Sequence, residues 1–449
     1  MKRLKLFITE QEETIQSLRD YIINSINGID NIDYLKKLKR KLKTTASESF
    51  SNIKSTILNY FNNICGWKDN GFLSKTMLQK ISHYDCWNEV YCLLSTKLNR
   101  TDEYFTSNDL INGNNIYDNI EKYYNNVIKN NTTDELEPFN EFKEFLIDIA
   151  DFKKGDNSVS VGAYENLCRM FMNDLNPKNV KVNGKLGDIN STTHAFEFKT
   201  DNGRIGGNKN ETKPKPQSVI NDTFIDLVLL IFNVENNSQS NKNKNASGLR
   251  LNKDIDYDLL LDVNLNIDIN DEDVKTFIDK ITNNTSNLGS RTNINYCVEN
   301  LLKFGVDIEI VEEIILKSFL SQQKVTFSQE DIDYIKTNYS IKDNNNKLLS
   351  SKPKGSNSEQ YIVNIRYYWL LLNVYAYKLT EDFDYMVLFD SDINTGNYVC
   401  FDFSNINEND VSIEQIDKIL DNKVYNDKLP ANTGGSNSQN GLPSIRLKK

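Results

Sequence analysis

A chain of 449 residues with 38% hydrophobic content is long enough for two or three domains with buried cores. Its net charge of −10 excludes a body coated in positive charge, although a cleft on an acidic protein can still be locally basic. Six cysteines without a Cys-x-x-Cys pair, and only two histidines, give no basis for a structural zinc site or a disulfide framework.

In chain order, apolar residues recur at helical spacing from Leu4 to about Lys153, as in Ile15, Leu18, Ile22 and Ile26 and again in Phe139, Phe142, Phe145, Leu146 and Ile149. This predicts an N-terminal helical region over 1–155. Its basic run Lys36 to Lys43 reads as a solvated helix face. The acidic stretch Thr9 to Glu13 ends the opening apolar run too early for a secretory signal, and a cytoplasmic protein is expected. Lys153 to Asn157 reads as a linker, and Gly162 to Leu175 as an amphipathic helix ended by Pro177. Three antiparallel strands are expected next, around Val180–Val182, Leu186–Ile189 and His194–Thr200, the first two joined by an Asn183-Gly184 hairpin turn.

An irregular Gly- and Pro-containing loop follows Thr200, then an apolar helix from about Val219 to Val234. The longest apolar runs, Phe224 to Val234 and Tyr367 to Tyr377, fall short of the roughly 20 residues a membrane helix needs. Residues 251 to 340 read as a strand-like Tyr257 to Ile269 followed by helices at Asp271–Ile281, Asn295–Leu302, Val311–Phe319 and Gln329–Thr337. A polar linker then precedes a long helix, Gln360–Leu379, two strands, Tyr385–Phe389 and Tyr398–Phe403, and a helix near Ile413–Leu420. The resulting division is a helical region 1–155, a first core part 156–207, an inserted subdomain 208–354, a second core part 355–424 and a flexible tail 425–449.

Chemistry concentrates in Gly187-Asp188-Ile189 and Ala195-Phe196-Glu197-Phe198-Lys199. Alternation along a strand puts Glu197 and Lys199 on one face and the two phenylalanines on the other. With Asp188 one hairpin upstream and Glu165 on the preceding helix, the pattern resembles the PD-(D/E)xK nuclease superfamily, with Gly187 where proline is common. The resemblance implies an α+β, restriction endonuclease-like core of a helix, three antiparallel strands, a helix and a strand, here carrying the N-terminal helical region and a large mixed insertion. It further implies a metal-dependent DNA endonuclease: Asp188 and Glu197, joined by Glu165, would hold one or two Mg²⁺ ions, and Lys199 would orient the attacking water. DNA is the implied partner, with a homodimer allowed.

The loop residues Arg204, Lys209, Lys213, Lys215 and Gln217 are candidate DNA contacts, and His194 reads as a polar strand-start residue. A second copy of the tripeptide, Glu141-Phe142-Lys143, lies at helical spacing and serves as a control. Two other readings stay open. One is a phage or host interaction protein that keeps an inactive nuclease fold. The other is a glycosyltransferase using Asp390 and Asp392, which end the strand Val387-Leu388-Phe389; the plainer account of those acids is the polar end of a hairpin.

Overall fold

The computed structural model describes residues 105–131, 136–150, 162–176, 180–205, 267–283, 291–320, 325–349, 359–381, 383–406, 410–427 and 442–448, with a few positions around 84–93 and 224–232. The helical spacing from Ile15 to Ile64, the Lys36–Lys43 run, the 153–157 linker and most of the Tyr257–Ile269 stretch lie outside the described residues. In chain order the described elements begin with α1 (Ser107–Asn112), α2 (Ile116–Tyr123), α3 (Phe139–Ala150), α4 (Ala163–Phe171), β1 (Ile189–Asn190), β2 (Ala195–Thr200) and β3 (Gly203–Arg204). Four helices follow, α5 (Glu272–Asn283), α6 (Arg291–Lys303), α7 (Ile308–Leu320) and α8 (Gln329–Asn338), then the long α9 (Gln360–Thr380). The last are β4 (Tyr385–Phe389), β5 (Tyr398–Asp402), α10 (Ile413–Leu420), β6 (Val424–Tyr425) and β7 (Ser444–Leu447). The chain is thus mixed α+β, and no described helix is long and apolar enough to cross a membrane.

Two compact units divide the chain, one of residues 1–200 with 383–404, the other of 201–382 with 405–449. In the first, four strands lie in the order β1-β2-β4-β5. β1 runs antiparallel to β2, β2 parallel to β4, and β4 antiparallel to β5. Period-two alternation sends Ile189, Phe196, Phe198, Tyr385, Val387, Phe389 and Tyr398 to one face, where they join a core built with α1 to α4. α4 explains that attachment: Tyr164, Leu167, Cys168, Met170 and Phe171 are all buried, and the Tyr164 ring stacks on Phe389 with centroids 4.1 Å apart.

The hairpin joining β4 and β5 is anchored on α2. The Asn115 side chain caps that helix by accepting the Tyr117 N–H, and its amide donates to the Thr395 carbonyl at 2.9 Å. Gly396 sits at φ +70°, and a Cβ there would come within 2.3 Å of the Tyr117 ring. Only glycine suits both conditions.

The expectation of three antiparallel strands is corrected. Val182 and Lys185 form only an isolated bridge across the Asn183-Gly184 turn, whose residues take φ of 51° and 84° as a primed hairpin turn requires. That bridge is no strand of the sheet, which has two antiparallel strands before the crossover. β1 is shorter than the Leu186–Ile189 expectation, because the Asn190 side chain rather than a ladder ties down the preceding segment.

In the second unit α7 and α9 are buried on nearly every side, as apolar residues around the full circumference demand. Burial pushes the Glu312 carboxyl up, and the N–H of Ile341 donates to it at 2.8 Å. A second, three-stranded sheet has the order β3-β7-β6. Residues 444–447, expected as flexible tail, are its central strand, with Ile445 fully buried. Their pairing partners lie far along the chain, so local composition gave no sign of it.

Asp417 on α10 ties three elements of this unit together. Its carboxylate accepts O–H bonds from Tyr334 at 2.7 Å, from Tyr367 at 2.9 Å and from Tyr339. Burial and this carboxylate push all three phenols above their ordinary value of 10. Removing the acceptor strands three hydroxyls, so Asp417→Ala is expected to lower unfolding free energy by about 3 kcal/mol in urea titration. The folded phenols stay protonated where unfolded ones ionise, so wild-type stability should fall as pH rises past 10, a loss that acid titration will not show.

Candidate active site

A glycine brings Asp188 to β2. A Cβ on Gly187 would lie 2.3 Å from the Phe196 carbonyl oxygen, so a side chain here would push the chain away from the strand. The turn is fixed by Asn190, whose side-chain oxygen accepts the Gly187 N–H at 2.9 Å while its amide donates to the Val180 carbonyl at 2.9 Å. Proline could not donate that N–H.

β1 begins at Ile189, opposite Phe196, and β2 continues beyond it. The N–H of Phe198 is taken by Oδ2 of Asp188 at 3.0 Å, so a carboxylate stands where a longer β1 would have offered a carbonyl. Asp188 is exposed. Glu197 and Lys199 flank Phe198 and pair with each other at 2.5 Å, their side chains 8% and 18% exposed. Because Phe198 packs into the core, these two point to the opposite face. Asp188, Glu197 and Lys199 are thereby brought to one short stretch of β2.

Glu165 is held differently. It pairs with Arg169 one turn later on α4, Oε1 to Nη2 at 2.9 Å, and the same guanidinium donates to the Asp188 carbonyl at 2.5 Å. Arg169 thus links the helix acid to the backbone of the strand acid. The sequence reading missed this arginine, although Glu and Arg four apart on an amphipathic helix was a usable signal.

Among the described residues no group of three or more His, Cys, Asp and Glu gathers as a metal cluster. Mg²⁺ keeps several waters and often takes only one or two carboxylates. Asp188 and Glu197 are hard oxygen donors of that kind, each with one oxygen held by the Phe198 N–H or by Lys199, as one oxygen of Glu165 is held by Arg169. Carboxylate oxygens are the donor type that Mg²⁺ takes.

The remaining candidates are scattered. Arg204 is exposed on β3, in the second unit. Lys209, Lys213, Lys215 and Gln217 lie outside the described residues. His194 sits at the start of β2, with Nδ1 4.0 Å from Asp384 and its ring edge-on to Tyr385. Asp384 organises that end, pairing with Lys185 at 2.6 Å and accepting the Ala195 N–H at 2.9 Å. Only its place just before a strand could have drawn notice to it. Glu141 and Lys143 lie on α3, where Phe142 is buried and Lys143 donates to the Asn394 carbonyl. Asp390 accepts the Asp392 N–H, and Asp392 in turn accepts the backbone and side-chain N–H groups of Asn394. Those bonds from Asn394 hold the Asp392 carboxyl below the usual carboxylate range. Both acids make the bonds of a hairpin turn.

No protein-family model, curated protein or solved structure matches the chain. The close approach at Gly187 predicts that Gly187→Ala displaces Asp188 from β2. Thermal unfolding should register a loss of about 1–3 kcal/mol, and the Phe198 amide should lose hydrogen-exchange protection.

Proposed function

We propose that the first unit is a divalent-metal-dependent endonuclease core of the PD-(D/E)xK kind, acting on DNA. The observation that carries this reading is the seating of the Asp188 carboxylate on the Phe198 N–H, between Glu197 and Lys199. What supports it further is a Glu-x-Lys strand with an antiparallel neighbour, entered directly after Asp188, on one side and, after a long excursion of chain, a parallel strand on the other. A helix carrying an acid precedes both.

A bound Mg²⁺ would polarise the phosphodiester and lower the pKa of a water molecule. Asp188 and Glu197 offer it hard oxygen ligands of opposite charge to its own. Lys199 pairs with Glu197 at 2.5 Å. Its ammonium would donate to a phosphoryl oxygen as negative charge develops there, a contribution that grows toward the transition state. Phe196, buried on the far face, and Phe198, partly buried beside it, keep the strand from shifting under that load.

Supercoiled plasmid nicking with and without Mg²⁺ tests the reading. Asp188→Ala and Lys199→Ala should each slow nicking by about 100-fold or more, while Glu141→Gln leaves it unchanged. Full activity in Asp188→Ala contradicts the assignment.

The Glu197–Lys199 pair also favours a second reading, in which the core keeps this architecture in a binding role without cleavage. Metal titration of Lys199→Ala separates the two. Removing the competing ammonium should leave Mg²⁺ binding as tight as in wild type or tighter if the carboxylates are ligands. A non-cleaving core predicts no saturable binding in either protein.

A further inference from the structure

Arg169 is buried, its side chain 7% exposed, and a guanidinium keeps its charge wherever it is placed. It lies in the last turn of α4, where Leu167, Cys168, Met170 and Phe171 are buried around it and fix the helix against the sheet. From there the guanidinium works in two directions. Nε and Nη2 both donate to Oε1 of Glu165, at 3.1 and 2.9 Å, and Nη2 also donates to the Asp188 carbonyl at 2.5 Å. With its counter-ion on its own helix and its other bond on a separate segment, this side chain ties that segment to the helix.

The carbonyl it holds lies at the edge of the ladder. Pairing between β1 and β2 begins with Ile189 opposite Phe196, so residue 188 stands one place before it. Its carbonyl therefore takes a partner from outside the sheet, and Arg169 supplies one. Peptide units are planar, so holding the carbonyl of Asp188 holds the whole unit that follows its Cα. One residue earlier the chain is held by the Gly187 N–H on Asn190. Between these two restraints the side chain of Asp188 leaves its Cα toward β2, where the carboxylate accepts the Phe198 N–H at 3.0 Å.

The same bonds distinguish the two glutamates beside Asp188. Lys199, which pairs with Glu197, is 18% exposed at the end of a flexible stem and can swing aside for a cation. Arg169 is held at both ends, so a dication on the same oxygen of Glu165 would meet a fixed guanidinium where little water screens them. We propose that Arg169 is the positioning residue of this site: its hold on the Asp188 carbonyl aims the Asp188 carboxylate at β2, and Glu165 serves as its counter-ion and not as a metal ligand. What concerns the metal rests on the endonuclease reading, whereas the seating of Asp188 stands without it.

The test uses the full chain with Arg169→Met, Arg169→Lys and Glu165→Gln, at a temperature where circular dichroism shows every variant folded. Two quantities are read: hydrogen exchange of the Phe198 amide against the amides of β4, and Mn²⁺ affinity by electron paramagnetic resonance. Arg169→Met should speed exchange at Phe198 by about tenfold with β4 unchanged, and should weaken Mn²⁺ binding by about tenfold. Charge alone predicts the opposite for the metal, since removing a cation would tighten binding. Arg169→Lys should fall between, because an ammonium lacks the fork that serves both acceptors. Glu165→Gln keeps an oxygen for the guanidinium, so its Mn²⁺ affinity should stay within about threefold of wild type even as its melting temperature falls. The proposal is overturned if Arg169→Met leaves the Phe198 amide as it was, if it binds Mn²⁺ as tightly as wild type or tighter, or if Glu165→Gln loses about tenfold. Absence of Mn²⁺ binding in wild type would instead sink the endonuclease reading, and the Phe198 amide alone would then decide the role of Arg169: faster exchange in Arg169→Met upholds it and unchanged exchange ends it.

Discussion

The parallel pairing of β2 with β4 is the constraint on which the first unit depends. Five residue pairs, from Phe196 with Tyr385 to Thr200 with Phe389, join segments separated by nearly the whole of the second unit in sequence. Parallel strands cannot be joined by a tight turn, so the chain must leave the sheet and return. What it gains is a Glu-x-Lys strand that is internal, with a neighbour on each side over part of its length. An internal strand has a fixed register, and a fixed register decides which side chains face the core.

Burial on the core face then holds the chemistry on the other. Phe196, Phe198, Val387 and Phe389 are fixed against α1 to α4, and a slip of one residue would put Glu197 and Lys199 into that core. Asp188 is added from outside the ladder. Its approach depends on a residue without a side chain at 187 and on Asn190 holding the turn. Arg169 braces the same segment from the helix by bonding the Asp188 carbonyl. Sheet, helix and turn thus position three charged groups that a tripeptide alone could not.

Much of this was legible where the signal was local. β4 and α10 fall on the residues expected of them, and α9 differs by a single residue at its end. The two Glu-x-Lys copies were separable by period alone, and Glu141 indeed lies on a helix. What stayed hidden was set by distant partners. β7 forms because β3 and β6 flank it, and Asp384 acquires its role because Lys185 and Ala195 arrive beside it. Gly187 reads as a missing proline until the backbone of Phe196 stands against it.

The proposed endonuclease core requires Asp188 and Glu197 to share a metal ion on β2. Anomalous diffraction from crystals soaked in Mn²⁺ tests it most directly, since Mn²⁺ occupies the oxygen sites that suit Mg²⁺ and reports its position independently of any turnover. The account predicts an anomalous peak coordinated by both carboxylates. A peak at Asp390 and Asp392 instead, or none between Asp188 and Glu197 at saturating Mn²⁺, would contradict it.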